Sequence, residues 1–286
     1  NGRDLAFGAG CGAVSALLFA VISSGSSLAL IVYLIAPLPL LIATLGFGYQ
    51  SGLAAVLSSF AFTALIFSPS VGISQLVSIG LPSWFSAFLL ILARPRSGEH
   101  ADSDMEFYPL GHVLLWIIAV SSILTFAGAW MLGGGSFAAL PDYTRYNATF
   151  ARAVEALLAY DPALVTGLSA DGDLQTMIAQ ILALIAMPVS VALSIVISVG
   201  LLWIAGRVVD ASGRLPRPWP DLAMTTLPRL AVPFLLISLV LAFAARDYPA
   251  LLGRISASAL MIGYCLHGLA VLHAITRPLK SRRSLL

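Results

Sequence analysis

The sequence predicts an all-α fold, a polytopic transmembrane helix bundle of about eight spans with its N-terminus in the cytoplasm. Three observations predict it. Residues 5–93 run for 89 positions without one Asp, Glu, Lys or Arg, and a soluble domain does not tolerate so much apolar surface. The 286 residues are 59% hydrophobic and 10% charged, against about 25% charged in ordinary globular domains. The apolar runs are continuous and lack strand-like alternation, which favours helices over a barrel.

A helix crosses the hydrocarbon layer with about 20 apolar residues rising about 1.5 Å each. The first uncharged run therefore holds roughly four crossings, read as 5–22, 28–45, 48–67 and 71–93. Later runs supply 110–132, 174–205, 229–245 and 252–275. Residues 1–286 are expected to form a single transmembrane helical domain.

The first span carries Gly8, Gly12, Ala16 and Ala20, four residues apart and so on one stripe, widened by Ala9 and Ala13. Small residues let helix backbones approach closely in lipid. The stripe reads as packing inside the bundle, with a partner interface as the alternative. Pro37, Pro39, Pro82, Pro188 and Pro233 interrupt later spans. Each removes a backbone donor, and such breaks often accompany transport sites, although inert membrane helices carry them too.

Two connections are informative. Segment 133–173 opens with Gly133, Gly134 and Gly135, and Pro141 suits a helix start. Tyr143, Tyr146, Phe150, Val154, Leu157 and Leu158 then recur at helical spacing, with Arg145, Thr149 and Arg152 on another face, and Asp161-Pro162 reads as the stop. An extracytoplasmic amphipathic helix follows, read first as a passive interfacial helix and alternatively as a lid over an outward-facing cavity, with Tyr146, Phe150 and Val154 as the candidate lid residues. Loop 206–228 places Pro216, Pro218 and Pro220 around Arg217 and Trp219, a stiff extended connector or a docking strip for a cytoplasmic partner.

Orientation follows from the fourteen arginines and Lys280. With the N-terminus inside, Arg3, Arg94, Arg96, Arg207, Arg214, Arg217, Arg229, Arg277, Lys280, Arg282 and Arg283 are cytoplasmic. Only Arg145, Arg152, Arg246 and Arg254 fall outside. Asn1 is expected to follow a trimmed start, and native sequence is expected to continue past Leu286.

Chemistry is sparse. The spans hold essentially no ionisable carboxylate or amine, which disfavours an aspartyl intramembrane protease and an ion-driven carrier. No His-Glu-x-x-His, phosphate loop or nucleophile elbow is present, and Cys11 and Cys265 read as packing residues. The expectation is a non-enzyme with no cofactor, no metal and no nucleic-acid partner. What remains is neutral polarity: Gln75, Trp84, His112, Gln180, Tyr264 and His267 are the ligand-binding candidates. Neutral hydrogen-bonding groups with aromatics suit an uncharged or amphiphilic small molecule.

Pro37-Leu38-Pro39-Leu40, then Leu45-Gly46-Phe47-Gly48-Tyr49-Gln50-Ser51-Gly52, and later Leu266-His267-Gly268-Leu269-Ala270-Val271-Leu272-His273 resemble the YybS-like family of bacterial integral membrane proteins. That family looks like a distant relative of the substrate-binding S components of energy-coupling-factor transporters. The resemblance implies a multi-pass protein of the bacterial cytoplasmic (inner) membrane, a small-molecule ligand, and scaffold and ATPase subunits as partners beside membrane lipids. It also implies that Gly8, Gly12, Ala16 and Ala20 are similar to the scaffold-contacting stripe of S components. Eight spans and the amphipathic outer segment depart from the six-span pattern. The functional expectation is an S-component-like binding or transport subunit: outside capture, partial closure by 141–160, release as the bundle rearranges. The alternative is a non-catalytic accessory or scaffold subunit of a larger membrane complex.

Overall fold

Continuous apolar runs in lipid must satisfy their own backbone groups, and the chain does so almost wholly with helices. The computed structural model describes residues 2–95, 105–136, 139–160, 172–218 and 225–276, without the side chains of 27, 154–160, 172–180 and 183. In chain order the helices are α1 Gly2–Ala20, α2 Ser27–Leu34, α3 Leu38–Phe47, α4 Tyr49–Ile66, α5 Pro69–Gln75, α6 Leu81–Ile91, α7 Leu110–Leu132, α8 Tyr143–Tyr160, α9 Gly172–Ala211, α10 Ala231–Ala244 and α11 Asp247–Thr276.

Among the described residues, seven segments are long and apolar enough to cross a membrane: Gly2–Ser24, Leu28–Phe47, Tyr49–Ile66, Pro69–Ile91, Leu110–Leu132, Leu184–Ala211 and Asp247–Thr276. The chain is an all-α multi-pass membrane protein. The expected eighth span, 229–245, is the 14-residue α10, about 21 Å long against a hydrocarbon layer of about 30 Å. Conversely α9 runs unbroken for 40 residues through Pro188. Outside the expected pattern, β1 Ala93–Pro95 pairs antiparallel with β2 Met105–Phe107, where an exposed Arg94–Glu106 ion pair of 2.8 Å links the strands.

The chain divides into two units, one of Asn1–Ile117, Val196–Pro228 and Cys265–Leu286, the other of Ile118–Ile195 and Arg229–Tyr264. In the first unit α1 and α4 lie parallel at close range. Gly8 sits on Ser51 and Gly12 on Ala55 and Ser58, with no room for a Cβ at either glycine. Ser51 Oγ donates to Asp4 O and Ser58 Oγ to Ala9 O, each at 2.8 Å, so hydroxyls clasp the two backbones. Gly8, Gly12 and Ala16 are buried, and Ala20 is partly exposed. The small-residue stripe is thus covered by this chain's own α4.

Gly48, at φ 87°, turns α3 back into α4, a left-handed-side conformation that suits glycine. Leu40, Ala43, Ala55, Val56 and Ile79 form the core there, ringed by Cys11, Phe19, Tyr33, Leu76 and Trp84. The prolines act locally. Pro37 and Pro39 sit at the start of α3, where a missing N–H is harmless. Pro82 follows a widened π turn, Leu76–Gly80, in which Leu81 N–H reaches back to Leu76 O. Widening relieves the clash a proline ring makes with the preceding turn.

Arg214 and Arg217 tie the loop after α9 to the ends of α3 and α6 and to the Phe107-Tyr108 stretch before α7. Arg214 stacks over Phe47 at 4.5 Å, and Arg217 lies 5.4 Å from the centre of the Phe107 ring. Arg217 Nη1 donates to Tyr108 O at 3.0 Å and to Leu90 O at 3.4 Å, at the C-terminal turn of α6. A cation there complements the negative helix end. Burial lowers Arg217 from the ordinary arginine pKa. Trp219 and Pro220 of the expected docking strip lie outside the described residues.

In the second unit Gly253 of α11 lies against Leu241 and Ala242 of α10, and Gly263 against Ile118 of α7. Ser258 Oγ donates to Pro188 O at 2.8 Å, tying α11 to the proline turn of α9.

Candidate functional site

Helix α5 packs antiparallel on α4: Gly72 lies on Ala64, Gln75 on Ser59 and Gly80 beside Val56. This register places three polar side chains inside an apolar helix pair. Ser59, Thr63 and Gln75 are each 0% exposed. Gln75 Nε2 donates to Ser59 Oγ at 2.8 Å, while Gln75 Oε1 and Thr63 Oγ1 have no hydrogen-bond partner. Leaving such a group unpaired costs about 1–3 kcal/mol. Ser59 and Thr63 are four apart and so face the same side of α4. Extending the α1–α4 register by one turn from Gly12 on Ala55 sets Ala16 opposite Ser59. The result is a short polar seam between α4 and α5, ending at the π turn.

Other candidates have ordinary surroundings. Trp84 Nε1 donates to Tyr49 O at 3.0 Å, its ring stacks on Phe88 at 5.5 Å, and it fills the space over Gly52. That is packing with the polar atom satisfied. His112 is exposed in the first turn of α7, with its ring 5.7 Å from that of Tyr108. His267 is half-buried and its Nδ1 lacks a partner, and Tyr264, three residues earlier on α11, is also half-buried. The side chain of Gln180 lies outside the described residues. Among the described residues no hydrogen bond or ring contact links Gln75, Trp84, His112, Tyr264 and His267 to one another. Gln75 lies instead with Ser59, its hydrogen-bond partner, and Thr63.

The amphipathic helix expected after Pro141 is α8. Asp142 Oδ1 accepts from Thr144 N–H at 2.8 Å at its start. Tyr146, 1% exposed, packs with Tyr143, Phe150 and Tyr248 at ring separations of 5.6, 6.3 and 6.2 Å. Tyr248 in turn meets Trp130 and Phe126. This aromatic cluster holds α8 on the second unit. The Tyr146 hydroxyl has no partner. Its pKa is pushed up to about 12, first by burial and then by Tyr143 and Tyr248, with Arg254 opposing. Phe150 is partly buried, and the Val154 side chain lies outside the described residues.

Ser59 and Thr63 escaped the sequence reading, as did Tyr248 and Trp130. The available signal was the four-residue spacing of two hydroxyls on the α4 face that also carries Ala55 and Val56. No family model, curated protein or solved structure matches the chain.

Proposed function

We propose that this chain is the membrane-embedded binding component of a small-molecule transport assembly in the bacterial inner membrane, without catalytic chemistry of its own. Energy would come from partner subunits, because the carboxylates of the spans, Asp4, Asp210 and Asp247, stand only in end turns and the sequence holds no phosphate loop. The supporting observation is the α4–α5 seam, where a fully buried glutamine keeps an unpaired carbonyl oxygen inside helices otherwise stripped of charge. Polar groups are costly there and commonly mark a function. The small-residue stripe is packed on α4, so it favours neither this reading nor the scaffold alternative, and the buried polar seam is what sets them apart.

The topology we propose has eight crossings with both ends cytoplasmic, α10 being the short one. The excess of basic residues on the assigned inner side supports it. Local bilayer thinning accommodates a short span at modest cost. Thermal stabilisation of the purified protein by solutes tests the binding reading. One or more small solutes should raise the melting temperature; a flat response across vitamins, amides, lipids and metal ions would reject it.

A further inference from the structure

We infer that the Ser59–Thr63–Gln75 seam takes an uncharged ligand that carries both a hydrogen-bond donor and an acceptor, the chemistry of a carboxamide, lactam or ureide edge. The inference rests on the binding reading above and names its ligand class. Gln75 Oε1 can only accept, and Nε2 spends one of its two N–H donors on Ser59. The ligand must therefore bring a donor. Thr63 Oγ1 can donate as well as accept, so an acceptor on the ligand is matched too.

Ser59 and Thr63 stand one helical turn apart, about 5–6 Å between Cβ atoms, and Gln75 abuts Ser59. The complementary edge is accordingly short, a single small polar group. Its neighbours are apolar or small: Val56 and Gly80 toward one end, Ala64 and Gly72 toward the other. Charge is disfavoured by the surroundings. Residues 5–93 offer no ionised side chain to neutralise an ion. An uncompensated charge is heavily penalised in a low-dielectric interior, whereas a neutral donor–acceptor edge recovers its hydrogen bonds there.

Both unpaired oxygens are sealed from solvent, so entry requires α5 to part from α4. The fold provides for that. Helix α5 has seven residues and is bounded by the Ser68-Pro69 corner and by the π turn Leu76–Gly80. The proline corner and the widened turn are the two points at which the continuous segment Pro69–Ile91 can bend to carry Gln75 away from Ser59.

The test is titration of the full chain in lipid nanodiscs with named probes. Pyrrolidinone, nicotinamide and uracil are the uncharged donor–acceptor probes; acetate and tetramethylammonium are the charged ones. An uncharged probe should raise the melting temperature of the native chain. Thr63→Val and Gln75→Leu should each weaken that probe about tenfold, the loss of roughly 1.4 kcal/mol, while Ser23→Ala, at an exposed hydroxyl just past α1 that bonds to Ala20 O, leaves it unchanged. Thr63→Val nearly preserves shape, so it reports even if Gln75→Leu fails to fold. An uncharged probe whose affinity is the same in both variants overturns the seam assignment and leaves a binding protein. Stabilisation by acetate or tetramethylammonium alone overturns the uncharged class. No response to any of these probes overturns this inference, and the binding reading falls with it only if vitamins, lipids and metal ions also leave the melting temperature unchanged.

Discussion

Three buried polar atoms define the residue scale: Gln75 Oε1, Thr63 Oγ1 and the Tyr146 hydroxyl, none with a partner. Removing an unpaired buried group relieves its desolvation cost. Thr63→Val should therefore raise the stability of the ligand-free protein by about 1 kcal/mol, measured by thermal melting in lipid nanodiscs. A loss of similar size would mean that the hydroxyl is satisfied. For Tyr146 the sign follows from its raised pKa. Folded and unfolded forms are both protonated below pH 10, but between 10 and about 12 only the unfolded chain ionises. Stability should fall across that window, and Tyr146→Phe should remove its share of the decline. An alkaline melting series, with tyrosinate absorbance as the second readout, checks both. Gln75 was legible in the sequence because an amide has few uses inside a span. Ser59 and Thr63 were not, since span hydroxyls commonly bond to the carbonyl one turn back, as Ser83, Ser122 and Ser238 do at 2.6, 2.8 and 2.8 Å. Only the packing register distinguishes a hydroxyl so satisfied from one left facing a neighbour.

Among elements, α1 and α4 make the tightest test. Gly12 faces Ala55 and Ser58 with no space for a Cβ, so Gly12→Leu must push the helices apart. The expected cost is about 1–3 kcal/mol or more, read as a lower melting temperature of the isolated chain. An unchanged melting temperature with loss of a copurifying membrane protein would instead favour the scaffold reading. The loop strap is a second case. Arg217→Ala removes a hydrogen bond to Leu90 O at the end of α6, another to Tyr108 O ahead of α7, and a contact with Phe107. Backbone amides near Tyr108 and in the last turn of α6 should then exchange with deuterium faster, by roughly tenfold if about 1–2 kcal/mol is lost locally. The stripe on α1 and the broken spans at Pro37 and Pro82 were readable, because small-residue spacing and proline act through local backbone geometry. The length of α10 was harder, since the uncharged run from 230 to 245 is longer than its 14 helical residues. The two short strands beyond α6 gave no periodic signal at three residues each.

For the whole molecule, the claim that governs the rest is that lipid surrounds these helices. Large apolar side chains stand fully outward in mid-helix: Leu57 is 61% exposed, Ile123 65% and Leu193 56%. In water, so many outward apolar residues would drive aggregation; in hydrocarbon they are at home. The membrane class was therefore legible from composition alone. The division into two units was not, because it depends on which distant segments pack together, and uniform hydrophobicity does not encode that choice. If α10 crosses, Ser212 and Asp247 lie on opposite faces of the membrane. Single cysteines there, in a background where Cys11 and Cys265 are replaced, should label from opposite sides. Labelling of both from one side would make α10 a surface helix and reverse the C-terminal half. The most direct measurement of the central claim is spin-label accessibility at Leu57, Ile123 and Leu193 in reconstituted membranes. Each position should relax readily with dissolved oxygen and resist a water-soluble nickel chelate, with Arg94 showing the reverse. Chelate accessibility at all three equal to that at Arg94 would contradict the account.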